Sequence, residues 1–261
     1  MQLNQARIVL TGASGGLGGA LTRELARAGA ALLLTGRDPN ALASINLPPS
    51  CDYQLLQADL GHGGGVDSVV QAARAFGTNI LINNAGASSF GLLAEQDWSG
   101  VQGILATNLE APIRLTQALL PWLNQQREAA VVNIGSAFGS VPFAGFTAYS
   151  AAKAGLRGFS QALRRELADS PVRVFHVAPR AIATKFNSPA VQALNQALGS
   201  QADTPEQVAK HVIRMLQQDI YEGHIGFPER FFAWLNGLAP GLVDQGLRSK
   251  LSKIKYHASK A

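Results

Sequence analysis

The amino-acid sequence predicts a single doubly wound α/β fold: one parallel sheet of about seven strands with helices on both faces. Three observations predict it. Short apolar runs rich in Val, Ile and Leu alternate with helical patterns along most of the chain, as in a sheet that is covered on both sides. Residues able to do chemistry fall at or just after the carboxyl ends of those runs, where ligands bind in such sheets. Of the 261 residues, 47% are hydrophobic and 15% charged, enough apolar material for one large core and no signature of disorder.

The first strand is Ala6–Thr11, broken by the glycine turn Gly12–Gly19, and a helix follows over Ala20–Ala28 with Leu21, Leu25 and Ala28 on one stripe. The turn reads G-x-x-x-G-x-G at Gly12, Gly16 and Gly18, with Ser14, Gly15 and Leu17 between them. A phosphate reaches the backbone N–H groups of a helix amino terminus only where no Cβ blocks it. A second strand runs to Thr35, and Gly36-Arg37-Asp38 forms its tip. In a dinucleotide fold this tip meets the adenine ribose, and a guanidinium there suits a 2′-phosphate. Arg37 therefore favours NADP(H), with NAD(H) as the alternative, while Asp38 before Pro39 reads as a helix N-cap. The third strand, Asp52–Ala58, ends at Asp59-Leu60, which sets Asp59 where a side chain can meet the adenine amino group. Gly61–Gly65 reads as a loop and Val66–Phe76 as a helix. The fourth strand, Thr78–Asn83, closes in Asn83-Asn84-Ala85-Gly86, where small residues let a ring lie against the backbone.

Asp97 to Gln126 carries helical periodicity interrupted by Pro112 and Pro121. Asn108, a poor helix former inside it, marks a bend that frees backbone groups for water. Ala130–Gly135 is the fifth strand, Ser136 stands at its end, and Phe138–Thr147 is a loop rich in glycine and aromatics. In the helix Tyr149–Leu167, Tyr149 and Lys153 lie one turn apart on one face. An ammonium so close favours phenolate, which is expected to lower the tyrosine pKa toward neutral. Val172–Ala178 is the sixth strand, Pro179–Thr184 leaves it, and Asn187–Gly199 is a weak, alanine-rich helix of the kind that forms lids. Thr204-Pro205-Glu206-Gln207 opens a further helix, and His224–Phe227 reads as a short seventh strand. Residues 1–228 thus form the dinucleotide-binding and catalytic body, and 229–261 an apolar, basic helical extension of the same domain.

One cysteine, Cys51, excludes an intrachain disulfide, and the five histidines show no metal-ligand spacing, so no metal site is expected. No run is apolar enough to span a membrane, and the amino terminus shows no signal region, which makes the cytoplasm the default location. The net charge of +5 is scattered and predicts no nucleic-acid partner. The exception is the tail, where Arg248, Lys250, Lys253, Lys255 and Lys260 meet no acid: a solvated terminus, or a contact with anionic lipid.

Taken together, Thr11–Gly18, Asp59-Leu60, Asn83–Gly86, Asn108, Ser136 and Tyr149-x-x-x-Lys153 resemble, in order and spacing, the short-chain dehydrogenase/reductase family from about Arg7 to Gly226. The resemblance implies a Rossmann fold and an NAD(P)-dependent oxidoreductase. It implies a catalytic tetrad of Asn108, Ser136, Tyr149 and Lys153. It also implies Asp59 and Leu60 near adenine, Asn84, Ala85 and Gly86 beside the cofactor, and Pro179 and Thr184 against nicotinamide. Dimers or tetramers through the helices holding Asn108 and Tyr149 follow from it as well. Two departures stand out. The family usually has Pro-Gly where this chain has Pro179-Arg180, and many NADP-using relatives carry a basic residue where this chain has Gly15. The expected function is an NADPH-dependent reductase of an apolar carbonyl compound, reversible to the alcohol. The alternatives are a 3-oxoacyl-thioester reductase, an NAD-dependent alcohol dehydrogenase, and a catalytically silent NAD(P)-binding regulator.

Overall fold

The computed structural model describes residues 1–184 and 186–260. Its seven strands form one all-parallel sheet: β1 (Arg7–Leu10), β2 (Ala31–Gly36), β3 (Tyr53–Gln57), β4 (Ile80–Asn83), β5 (Ala129–Ile134), β6 (Val172–Ala178) and β7 (Glu222–His224), in the order β3-β2-β1-β4-β5-β6-β7. The order reverses between β1 and β4, and the crevice at such a reversal is where doubly wound sheets take ligands.

Alternation along the strands divides the core into two layers. Ile8, Leu10, Leu32, Leu34, Ile80 and Ile82 face α1 (Gly16–Arg27) and α8 (Pro205–Gln218), packing with Leu21, Leu25, Val212 and Met215. Val9, Leu33, Leu81, Val131 and Val174 face the other way, against Val69 of α3 (Gly63–Phe76), Leu115 and Leu119 of α5 (Ala111–Leu123) and Leu163 of α6 (Thr147–Glu166). The registers Val9↔Leu33, Val9↔Leu81 and Leu81↔Val131 keep each set on one face. Each fully buried Leu or Ile of these rows contributes about 1.5–3 kcal/mol. The edge strand β3 departs from the expectation of apolar, doubly covered strands. It leaves Tyr53 and Leu55 exposed, because only the short α2 (Pro39–Ala43) packs near it.

The helical stretch 97–126 resolves into α4 (Trp98–Leu105), one π turn (Ala106–Glu110) and α5. Asp97 caps α4 by accepting from the Ser99 N–H at 3.1 Å. Pro112 sits in the first turn of α5, where its missing N–H costs nothing, and Pro121 lies inside α5 without ending it. Other boundaries shift slightly. α3 starts at Gly63, within the expected loop, and α6 starts at Thr147. The seventh strand is Glu222–His224, not His224–Phe227: Gly226 takes φ +98° and turns the chain into α9 (Phe227–Leu238). Asp38 and Thr204 cap α2 and α8 as expected, the latter in a full capping box with Gln207. α7 (Pro189–Leu198), α10 (Pro240–Arg248) and α11 (Leu251–Ala258) complete the chain. Among the described residues, no helix is long and apolar enough to cross a membrane.

Candidate active site

The turns that leave β1, β4, β5 and β6 converge on a cavity of about 830 Å³. Gly12, Gly15, Gly16, Leu17 and Gly18 form one end of it. Asn84, Ala85, Gly86, Ser136, Tyr149, Lys153, Pro179 and Thr184 form the middle. The far end is apolar, with Phe143, Phe186, Leu194, Phe232 and Leu235 among its lining.

Crowding explains the glycines. Gly12 has φ +65°, and a Cβ there would stand 2.8 Å from the Ala85 Cα; one at Gly18 would stand 2.0 Å from the Gly12 carbonyl oxygen. Hydrogen bonds lock the turns after β1 and β4 together. Asn84 Nδ2 donates to the Thr11 and Gly12 carbonyls at 2.9 and 3.1 Å, and Thr11 Oγ1 accepts from the Asn84 and Ala85 N–H groups at 2.9 and 3.0 Å. Among the described residues no side chain caps α1, and Gly15, Gly16, Leu17 and Gly18 at its start line the cavity. A Cβ on Gly16 would lie 2.5 Å from Thr184 Cγ2, which brings the exit of β6 onto this turn. Bare amides at a positive helix end, with no Cβ over them, fit the pyrophosphate of a dinucleotide.

Ser136 ends β5 and its Oγ accepts from the Phe138 N–H at 3.2 Å. Tyr149 is half-buried, with ring centroids of Phe138, Phe146 and Phe186 at 6.5, 6.3 and 6.4 Å. Burial pushes its phenol up to about 12, against a smaller lowering by a hydrogen bond with Ser136. This reverses the expected direction. Lys153 lies near, its Nζ 5.8 Å from the tyrosine ring centroid. Desolvation sets the direction for both groups, bringing the Lys153 ammonium down to about 8. Lys153 is buried and donates to the Ile134 carbonyl at 2.8 Å.

Asn108 lies in the π turn, fully buried and off the cavity wall. Its Oδ1 accepts from the Ala87 N–H at 2.8 Å and its Nδ2 donates to the Ala87 carbonyl at 2.7 Å. This side chain braces the exit of β4 directly.

Four expected cofactor residues lie outside the cavity. Ser14 sits at the end of β2, its Oγ 3.0 Å from where a Cβ of Gly36 would stand. Arg37 beside it is exposed, and among the described residues no carboxylate pairs with it. Asp38 Oδ1 is occupied by the Asn40 and Ala41 N–H groups at 2.9 and 3.2 Å. Asp59 Oδ1 accepts from the Gly61 N–H at 2.9 Å, and the Leu60 side chain is buried in the core. Ser14, Arg37 and Asp59 thus rim the ends of β2 and β3, while Leu60 can offer only backbone.

Arg180, on the cavity wall, is held by a two-pronged ion pair. Its Nε and Nη2 donate to Asp203 at 3.0 and 2.7 Å, its Nη1 donates to Gln201 at 3.1 Å, and Glu229 lies 3.8 Å away. Nothing in the sequence spacing pairs Arg180 with Asp203 or Glu229; burial of all three side chains is visible only in the fold.

Residues 6–195 match the family model described as short chain dehydrogenase. A dehydrogenase/reductase SDR family member 7B from Bos taurus is 31% identical over 96% of this chain and 83% of its own length. The 3-oxoacyl-acyl-carrier-protein reductase FabG of Escherichia coli (strain K12) is 35% identical over 67% of this chain and 73% of its own. Among solved structures, a short-chain dehydrogenase from Sphingobium yanoikuyae in complex with NADPH superposes with a TM-score of 0.77 at 28% identity, covering 92% of this chain and 95% of that one.

Proposed function

Since the chain belongs to the short-chain dehydrogenase/reductase family and is an NAD(P)-dependent oxidoreductase, we propose that it reduces an apolar ketone or aldehyde with NADPH, Tyr149 delivering the proton. One observation carries this reading: Ser136, Tyr149 and Lys153 share the wall of a cavity whose one end is the bare glycine turn and whose other end is apolar.

A bound nicotinamide supplies the hydride in reduction and takes it back in oxidation. As the carbonyl oxygen gains charge it needs hydrogen bonds and a proton aimed at it. The Ser136 hydroxyl holds that oxygen. The Tyr149 phenol, kept protonated at neutral pH by its aromatic surroundings, gives up its proton to it, which favours the reductive direction. Lys153 stabilises the phenolate left behind and, with the N–H groups not used by Ile134, holds the ribose. Asn108 positions the backbone at Ala87, beside Gly86 on the cavity wall. Pro179, Thr184, Ala85 and Gly86, which line the same cavity, would hold the nicotinamide ring. The preference for NADP(H) rests on two side chains: Arg37 is free to meet a 2′-phosphate, and Asp38, the acid that would take a 2′-hydroxyl, is engaged as a cap.

A panel of apolar ketones with the NADPH-binding protein tests the reading. Tyr149→Phe should abolish NADPH oxidation while nucleotide fluorescence titration still shows binding; turnover at the wild-type rate in that variant would sink it. A 3-oxoacyl thioester is the second candidate substrate. The likeness to the Escherichia coli reductase supports it, as does Lys250, a cation on the cavity wall beside the apolar end.

A further inference from the structure

Helix α9 is apolar without being buried. Among its described side chains none reaches the core, and Phe231, Phe232, Trp234 and Leu238 are 47, 46, 60 and 66% exposed, with Leu242 of α10 at 61%. A twelve-residue helix of this kind is marginal on its own, so its apolar face calls for a cover. The two sides of the helix differ. Phe232 and Leu235 line the cavity, whereas Phe231, Trp234 and Leu238 lie beside them outside the lining. Phe231 meets Phe232 edge to face and Trp234 at a tilt, at 5.7 and 6.0 Å between ring centroids, which makes one continuous aromatic rim.

Charge identifies the cover. Residues 227–260 hold six Lys and Arg against Glu229 and Asp244, which accounts for four of the chain's five net positive charges. Glu229 is turned inward beside Arg180, which leaves Asp244 as the one exposed carboxylate among them. Lys250 lies on the same cavity wall as Phe232 and Leu242. Aromatic and aliphatic side chains with exposed Arg230 on the same helix and Lys250 beside them suit a headgroup interface. A second copy of this chain fits poorly, because a two-fold pairing of this face would set the same cations against each other.

We propose that α9 and α10 dock on an anionic phospholipid bilayer, with the cavity opening at the docked face so that a membrane-dissolved carbonyl substrate enters without crossing water. The docking itself is independent of the proton-transfer reading; the identity of the substrate rests on it.

The full chain is mixed with vesicles of phosphatidylcholine alone and with vesicles containing about a third phosphatidylglycerol, and the bound fraction is read by flotation. Binding should be at least about tenfold stronger to the anionic vesicles and weaken as salt is raised. Phe231→Ser/Trp234→Ser/Leu238→Ser, three exposed side chains, should lose it while keeping the wild-type unfolding temperature. Trp234→Phe should remove the blue shift of tryptophan emission that vesicles induce, which checks the contact without a polar substitution. The proposal is overturned by equal binding to both vesicle types, by no binding to either, or by binding that survives the triple substitution. It is also overturned if that variant only converts a dimer to a monomer. Because the readout is binding, its failure leaves the Tyr149 reading standing, and catalytic silence of the protein leaves docking standing.

Discussion

The Lys153 ammonium and the Ile134 carbonyl oxygen meet at 2.8 Å inside the protein, and this carbonyl is the one hydrogen-bond acceptor that Lys153 finds among the described residues. A buried cation with so few partners costs stability. Its pKa is down to about 8, so the unfolded chain binds more protons between that value and the ordinary 10.5. This group's contribution is therefore most favourable above the unfolded value and is lost as pH falls through 8, a difference on the order of 3 kcal/mol. Lys153→Met should lose reductase activity yet unfold at equal or higher urea than wild type at pH 7, a net gain of about 1–2 kcal/mol after the orphaned carbonyl is counted. Urea melts of both proteins at pH 7 and pH 10 check this, and a less stable variant at pH 7 would contradict it.

Asn108→Ala should be costly for a different reason. It leaves the partly buried Ala87 N–H and carbonyl without their side-chain partner. The expected loss is about 2–4 kcal/mol in urea unfolding. Asn108→Asp keeps the acceptor but not the donor and should fall between the two.

Arg180→Met should strip Asp203, a buried carboxylate, of its main counter-charge and cost about 3–5 kcal/mol. Arg180→Met/Asp203→Leu should recover most of that, because the pair is removed whole. Thermal melts of the single and double variants give the coupling, and additive losses would show that the pair does not act as a unit.

His176 is fully buried on β6, and neither ring nitrogen finds a partner among the described residues. Burial lowers its pKa to about 4 from the ordinary 6.5. The unfolded chain then takes up the extra proton, so stability present above 6.5 is lost as pH falls toward 4, again on the order of 3 kcal/mol. His176→Asn should flatten that part of the stability profile, read as unfolding midpoints from pH 7 to pH 4. A profile that still falls by the same amount would assign the loss to other groups.

Arg37→Asp should exchange the attraction for a 2′-phosphate for repulsion. The KM for NADPH is expected to rise roughly tenfold or more, about 1.4 kcal/mol for each factor of ten, while that for NADH changes little or falls. Steady-state kinetics with the two cofactors decide it.

Much of the fold was legible because a doubly covered strand has to be apolar on both sides, and β1, β2, β4, β5 and β6 are written that way. The glycine turn and the Tyr149–Lys153 spacing were legible because local geometry sets both. What sequence could not convey was environment. The direction of the Tyr149 shift depends on Phe138 and Phe146 of the loop after β5 together with Phe186 from beyond β6. The partners of Arg180 depend on a loop and a helix that meet only in the fold. The end of the seventh strand depended on one glycine with positive φ, and a strand pattern of four residues cannot reveal that.

The π turn at Ala106–Glu110 also carries one residue more than a regular helix would need. Deleting one residue there would let α4 and α5 rewind into a single regular helix. The wide turn absorbs one extra residue and leaves the helix on either side in phase, so Leu115 and Leu119 would keep their place against the sheet while Asn108 would lose the bulged position from which it reaches Ala87. The extra residue of that turn is thus a setting of the site and not of the core: its loss would leave the sheet covered and unbrace the exit of β4.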